Sequence, residues 1–66
     1  MSVKYPEVEV SLIGEDGNAF SVLGRVTRAM KRAGIPKKEI DKYIKEATSG
    51  DYDHLLQTTI RWVEVY

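Results

Sequence analysis

The chain has 66 residues, room for one small globular domain over residues 1–66, since domains run at roughly one per 100–200 residues. With no cysteine and one histidine, disulfides, thiolate zinc sites and most transition-metal sites are excluded, so packing or self-association must stabilise so short a chain. Ten basic and ten acidic residues cancel, so no overall field draws the chain to nucleic acid or to an anionic membrane.

Glu7 to Ile13 alternates, placing Val8, Val10 and Leu12 on one side and Glu7, Glu9 and Ser11 on the other, the pattern of a half-buried strand. Pro6 has no N–H to give a ladder and suits the start of that strand or an edge. Gly14-Glu15-Asp16-Gly17 follows as a turn.

Asn18 has the chemistry of a helix N-cap. Behind it Ala19, Val22, Leu23, Val26, Ala29, Met30 and Ala33 recur at steps of three and four, one apolar stripe on a first helix. Gly24 sits inside that helix at a cost of about 1 kcal/mol relative to alanine, which predicts that something packs closely against the backbone there. Arg32, Gly34 and Pro36 mark the stop. Pro36 also suits the first turn of a second helix, whose stripe is Ile40, Tyr43, Ile44 and Ala47, with Asp41–Lys45 and Lys42–Glu46 as four-step charge pairs. Ser49-Gly50 ends it. Asp51 caps a third helix with Tyr52, Leu55, Leu56, Thr59, Ile60 and Val63 on its period. The last five residues, Trp62 to Tyr66, alternate and favour strand, with the change of structure falling between Ile60 and Val63.

Short turns make consecutive helices antiparallel, and a strand running straight out of the third helix then lies antiparallel to the first strand. The expected fold is α+β: an N-terminal strand, three short helices and a C-terminal strand, the strands forming a small antiparallel two-stranded sheet packed on the helices. An open sheet edge, or an outer face carrying Ile13, Trp62 and Tyr66, is where a homodimer would form.

The charge is unevenly placed. Residues 1–24 hold one base and four acids, residues 25–38 six bases and no acid, and residues 39–66 three bases and six acids. Either the flanks fold back and pair with the centre, or the centre meets an acidic partner. Arg25, Arg28 and Arg32 share a helix face at i, i+3 and i+7, with Lys31 beside them and Lys37 and Lys38 just beyond. That set could contact nucleic-acid phosphates, and the helix–Gly–helix context invites comparison with a helix-turn-helix. Pro36 in the turn and Glu39, Asp41 and Glu46 in the second helix fit that comparison poorly. An ordinary solvated face, or a site for an acidic protein, is the competing reading.

Other chemistry is weaker. His54 lies in Asp51-Tyr52-Asp53-His54, where a carboxylate could orient a base, but no nucleophile motif accompanies it and a helix N-terminus disfavours imidazolium. The Gly14–Asn18 turn precedes a helix as phosphate loops do, yet it lacks both phosphate-loop patterns, its Glu15 and Asp16 repel anions, and it does not fit a calcium loop. Asp51 and Asp53 are explained by capping. Trp62, Tyr66, Phe20, Tyr43 and Tyr52 read as core before they read as a base-stacking platform. No catalytic, cofactor or metal residue is therefore assigned, and a non-enzymatic protein-interaction module is expected, with a minor nucleic-acid binder as the alternative. No apolar run approaches the roughly 18 residues of a membrane span, and the first residues lack a signal-peptide pattern, so the expected location is cytoplasmic, with no membrane partner.

The run Gly14 to Phe20, then Gly24, Ala29 and Gly34, and above all Ala47-Thr48-Ser49-Gly50-Asp51-Tyr52-Asp53-His54-Leu55-Leu56-Gln57-Thr58, resembles a group of short uncharacterised proteins encoded by phages and bacteria. The similarity covers nearly the whole chain. It implies a prokaryotic or phage cytosolic setting and brings no activity, cofactor or catalytic residue.

Overall fold

The strand alternation, three helical stripes and their caps appear in chain order in the computed structural model, which describes residues 3–12 and 18–66. The elements are β1 (Tyr5–Val10), α1 (Ala19–Arg32), α2 (Lys37–Ala47), α3 (Tyr52–Trp62) and β2 (Val63–Val65). The Gly14–Gly17 turn, with its phosphate and calcium readings, and Ile13 lie outside the described residues.

Val8 and Val10 point inward and are buried, while Glu7 and Glu9 are exposed. The strand stops at Val10, short of the expected Ile13, because β2 offers only three residues; Val10 pairs with Val65, and Tyr66 N–H donates to the Val10 carbonyl. It also starts earlier than expected, with Tyr5 opposite Val63 and Lys4 N–H donating to the Arg61 carbonyl. The register then slips, since Glu9 faces Glu64, so β1 bulges across Pro6, Glu7 and Val8. Pro6 thus falls where the ladder asks for no donor.

The two strands are parallel, not antiparallel. Alternation is the same in either direction, so Val63 and Val65 turning inward around an exposed Glu64 leaves the direction open. The expectation failed in treating each helix as an exact reversal and β2 as an extension of α3. Packed helices cross at about 20° or 50°, angles that accumulate over three helices. At Val63 the backbone leaves the helix abruptly (φ −135°, ψ 164°) with no loop, so the strand does not inherit the helix axis. The connection through residues 11–62 is ample for the crossover that parallel pairing requires.

Each helix boundary has a local cause. The Asn18 side chain accepts from Phe20 N–H at 2.8 Å and starts α1. At its other end Gly34 takes φ +85°, Gly34 N–H donates to the Lys31 carbonyl and Ile35 N–H to the Met30 carbonyl, which is a Schellman closure. Pro36 is the N-cap of α2 rather than its first helical residue. Asp51 caps α3 by accepting from His54 N–H at 2.9 Å.

The core draws on every element: Val8 and Val10 of β1, Val22, Val26 and Met30 of α1, Ile40, Tyr43 and Ala47 of α2, Leu55 and Trp62 of α3, and Val63 of β2. Trp62 is its aromatic centre, 5.8 Å from the Tyr43 ring and 6.0 Å from the Tyr5 ring. The buried Tyr43 hydroxyl lies 2.6 Å from Thr59 Oγ1, and Thr59 donates its own proton to the Leu55 carbonyl. That commitment makes Tyr43 the donor. None of the described helices is long and apolar enough to cross a membrane.

Candidate interaction groove

The arginines of α1 do not lie on a featureless face. Arg25, Arg28 and Arg32 line a concavity of about 750 Å³ together with Phe20, Ser21, Gly24 and Ala29 of α1, Glu9 and Val10 at the end of β1, Ser11, and Tyr66 after β2. One wall is the helix; the other is the paired ends of the two strands. Because the strands are parallel, both end at this groove.

Phe20 is 84% exposed and Tyr66 63% exposed, so the groove presents two aromatic rings to solvent. Phe20 is therefore not core, contrary to expectation. Its spacing already told: Phe20, Gly24 and Arg28 are four apart, off the apolar stripe and on the arginine face. Gly24 is also not a close-packing point, since a Cβ there would meet nothing within 4 Å. Its missing side chain leaves the groove open instead.

Several of the charges around the groove carry no ion pair. Among the described residues Arg28 and Arg32 form no ion pair, and neither do Glu7, Glu9 or Glu64. Arg28 and Arg32 are like charges four apart on one helix, and Glu9 faces Glu64 across the strand pair; both arrangements are repulsive. At this groove the acidic N-terminal flank and the basic centre come together without neutralising each other through these residues.

The other cations of the set are placed elsewhere. Lys31 and Lys37 line a separate hollow of about 390 Å³ between α1 and α2, with Thr27, Ile35, Ile40, Asp41 and Ile44, and Lys37 is held by Asp41 at 3.0 Å. Lys38 is exposed and borders neither hollow. So the six cations form no single face. Trp62 is also misplaced by the sequence reading: it ends α3, is 6% exposed, and shares no strand face with Tyr66. The helical period Leu55, Thr58, Thr59, Trp62 carries it inward.

His54 has a structural task. Its Nε2 lies 2.9 Å from the Glu46 carbonyl and 3.1 Å from Ser49 Oγ. A carbonyl only accepts, so Nε2 carries the proton, and the ring closes the C-terminal turn of α2 while tying α3 to it. Gly50 permits this, because a Cβ there would stand 2.8 Å from His54 Cγ. Among the described residues no cluster of three or more His, Asp or Glu could hold a metal ion.

A second polar cluster, not foreseen from the sequence, ties the start of β1 to α2. Lys4 Nζ lies 2.9 Å from Glu39 Oε1 and 4.2 Å from the Trp62 ring centroid, and Tyr5 donates its hydroxyl to the same carboxylate. These two hydrogen bonds pull the Glu39 pKa down to about 2, with Lys42 adding a smaller push. Arg61 likewise holds the Glu46 carboxyl below its ordinary range from 3.0 Å. The expected Asp41–Lys45 and Lys42–Glu46 pairs are replaced by Lys37–Asp41, Lys42–Glu39 and Arg61–Glu46. Neither cluster reaches the groove lining. Comparison with family models, curated proteins and solved structures finds no match for this chain.

Proposed function

We propose that the chain is a non-enzymatic protein-interaction module whose contact surface is the groove along α1. The observation that carries this reading is the pairing of unneutralised charges of both signs, Arg28 and Arg32 against Glu9, around exposed Phe20 and Tyr66. Aromatic and arginine side chains are the residue types that dominate protein interfaces. A phage or bacterial cytoplasmic setting is supported by the resemblance of the Ala47–Thr58 run.

Minor nucleic-acid binding is the second reading. It is favoured by three arginines on one wall with two aromatic rings able to stack on bases. Glu9 within the groove and exposed Glu7 and Glu64 on the same sheet repel phosphate and favour a polypeptide.

A photoreactive benzoylphenylalanine at Ser21, inside the groove, tests the two against each other when the chain is expressed in its bacterial or phage-infected host. Protease-sensitive adducts from position 21, absent from a probe at exposed Gln57 on α3, support the module. Nuclease-sensitive adducts, or no adduct, contradict it.

A further inference from the structure

We infer that the occupant of this groove is a second copy of the same chain, related by a two-fold axis that passes between the helix wall and the strand wall. The inference rests on the interaction-module reading and names its partner.

Two like-charge pairs of opposite sign border the groove, of which Arg28, Arg32 and Glu9 line it and Glu64 lies outside its lining. Arg28 and Arg32 sit one turn apart on α1, and Glu9 and Glu64 are cross-strand neighbours. A uniformly acidic partner would relieve the arginines and be repelled by the glutamates; a basic one would do the reverse. The occupant that relieves both must present an acidic wall and a basic wall at the same separation, and this chain is such an object. Rotation by 180° about an axis through the groove lays the arginine wall of each copy on the strand wall of the other, so each contact is made twice. Arg28 and Arg32 of one copy then face Glu9 of its partner, with Glu64 behind it on the neighbouring strand.

The remaining features agree with a self-complementary surface. Two concave faces meeting would enclose space, and each copy brings Phe20 and Tyr66 to fill it. The helix wall from Phe20 to Arg32 is about 18 Å long at 1.5 Å per residue, the scale of a small interface. A formal net charge of zero means that no long-range repulsion opposes pairing.

The test is a charge swap read by sedimentation equilibrium at low salt. The wild type is expected to approach twice the 7.5 kDa of one chain as concentration rises, and to dissociate as salt is added. Arg28→Glu and Glu9→Arg alone each place like charges across the interface and should raise the dimer Kd by about tenfold or more. Within a single chain both changes remove a like-charge pair, so neither threatens the fold, and an unchanged circular dichroism spectrum verifies this. The double variant Glu9→Arg/Arg28→Glu restores opposite charges and should return the Kd to within about threefold of wild type. Lys38→Glu, outside the groove, should leave the Kd unaltered.

A monomer at every concentration overturns the inference, as does a dimer insensitive to the single changes or unrescued by the double. Those outcomes leave the module reading standing if position 21 still captures a different polypeptide. The module reading fails separately if position 21 captures none.

Discussion

Replacing Thr59 with valine should harm the fold more than replacing Tyr43 with phenylalanine, although the two residues share one hydrogen bond. The Tyr43 hydroxyl is buried, lies 2.6 Å from Thr59 Oγ1, and must donate, because Thr59 has committed its proton to the Leu55 carbonyl. Burial pushes the Tyr43 phenol pKa up against a smaller opposing effect of Thr59, which keeps that proton in place. Tyr43→Phe removes the donor and leaves Thr59 still bonded to Leu55, so the loss is that of one net hydrogen bond, about 1 kcal/mol. Thr59→Val removes the acceptor and leaves a phenolic O–H buried with no partner, a penalty of about 2 kcal/mol. The double variant has neither group and no orphan, so it should resemble Tyr43→Phe and be more stable than Thr59→Val alone. For a domain of this size each kcal/mol is about 4–8 °C in Tm. Thermal unfolding followed by circular dichroism and by Trp62 fluorescence reads these shifts directly. Simple additivity in the double variant, or a Thr59→Val protein as stable as Tyr43→Phe, would refute the assigned direction of the bond.

Gly24→Ala should raise stability by about 0.5–1 kcal/mol, because an exposed helical glycine with nothing within 4 Å of its Cβ position gains helix propensity and meets no clash; a lower Tm would contradict the open groove. Gly50→Ala should do the opposite, since the new Cβ would press on His54 at 2.8 Å, and His54→Ala in the same chain should recover part of the loss in a Tm comparison. Glu39, held at about pKa 2 from an ordinary 4.5, contributes stability that is complete above its unfolded value and disappears as pH falls through its folded value. The Tm gap between wild type and Glu39→Gln should therefore narrow below the ordinary 4.5 and close near 2; a gap constant with pH would show that the Lys4–Glu39–Tyr5 cluster is not ionic.

Local periodicity made most of the elements legible in the sequence. Val22, Val26 and Met30, or Ile40, Tyr43 and Ala47, face one way because a helix turns every 3.6 residues, and the caps Asn18, Gly34 and Asp51 act within a turn of themselves. What was hidden is what depends on distance along the chain. Strand direction depends on helix crossing angles, which alternation does not encode. Lys4 meets Glu39 only once β1 and α2 are packed together. The arginine wall was legible as i, i+3, i+7, but its facing wall was not, since Glu9 and Tyr66 reach it only through the parallel pairing of the strand ends. Phe20 leaves the core and Trp62 leaves the strand for one reason: helical phase, which residue type does not encode, turns Phe20 outward and carries Trp62 from the end of α3 into the core expected of it. Gly24 and Gly50 reverse roles likewise, because the same residue type serves an open groove in one place and a close ring contact in the other.

The groove itself can be located by amide chemical shifts followed as the protein is concentrated at low salt. Self-association through it should move Glu9 to Ser11, the arginine face of α1 from Phe20 to Arg32, and Tyr66, leaving α2 and α3 unmoved. Shifts centred on the Lys31–Lys37 hollow or on α3, or no shifts up to millimolar concentration, would contradict it.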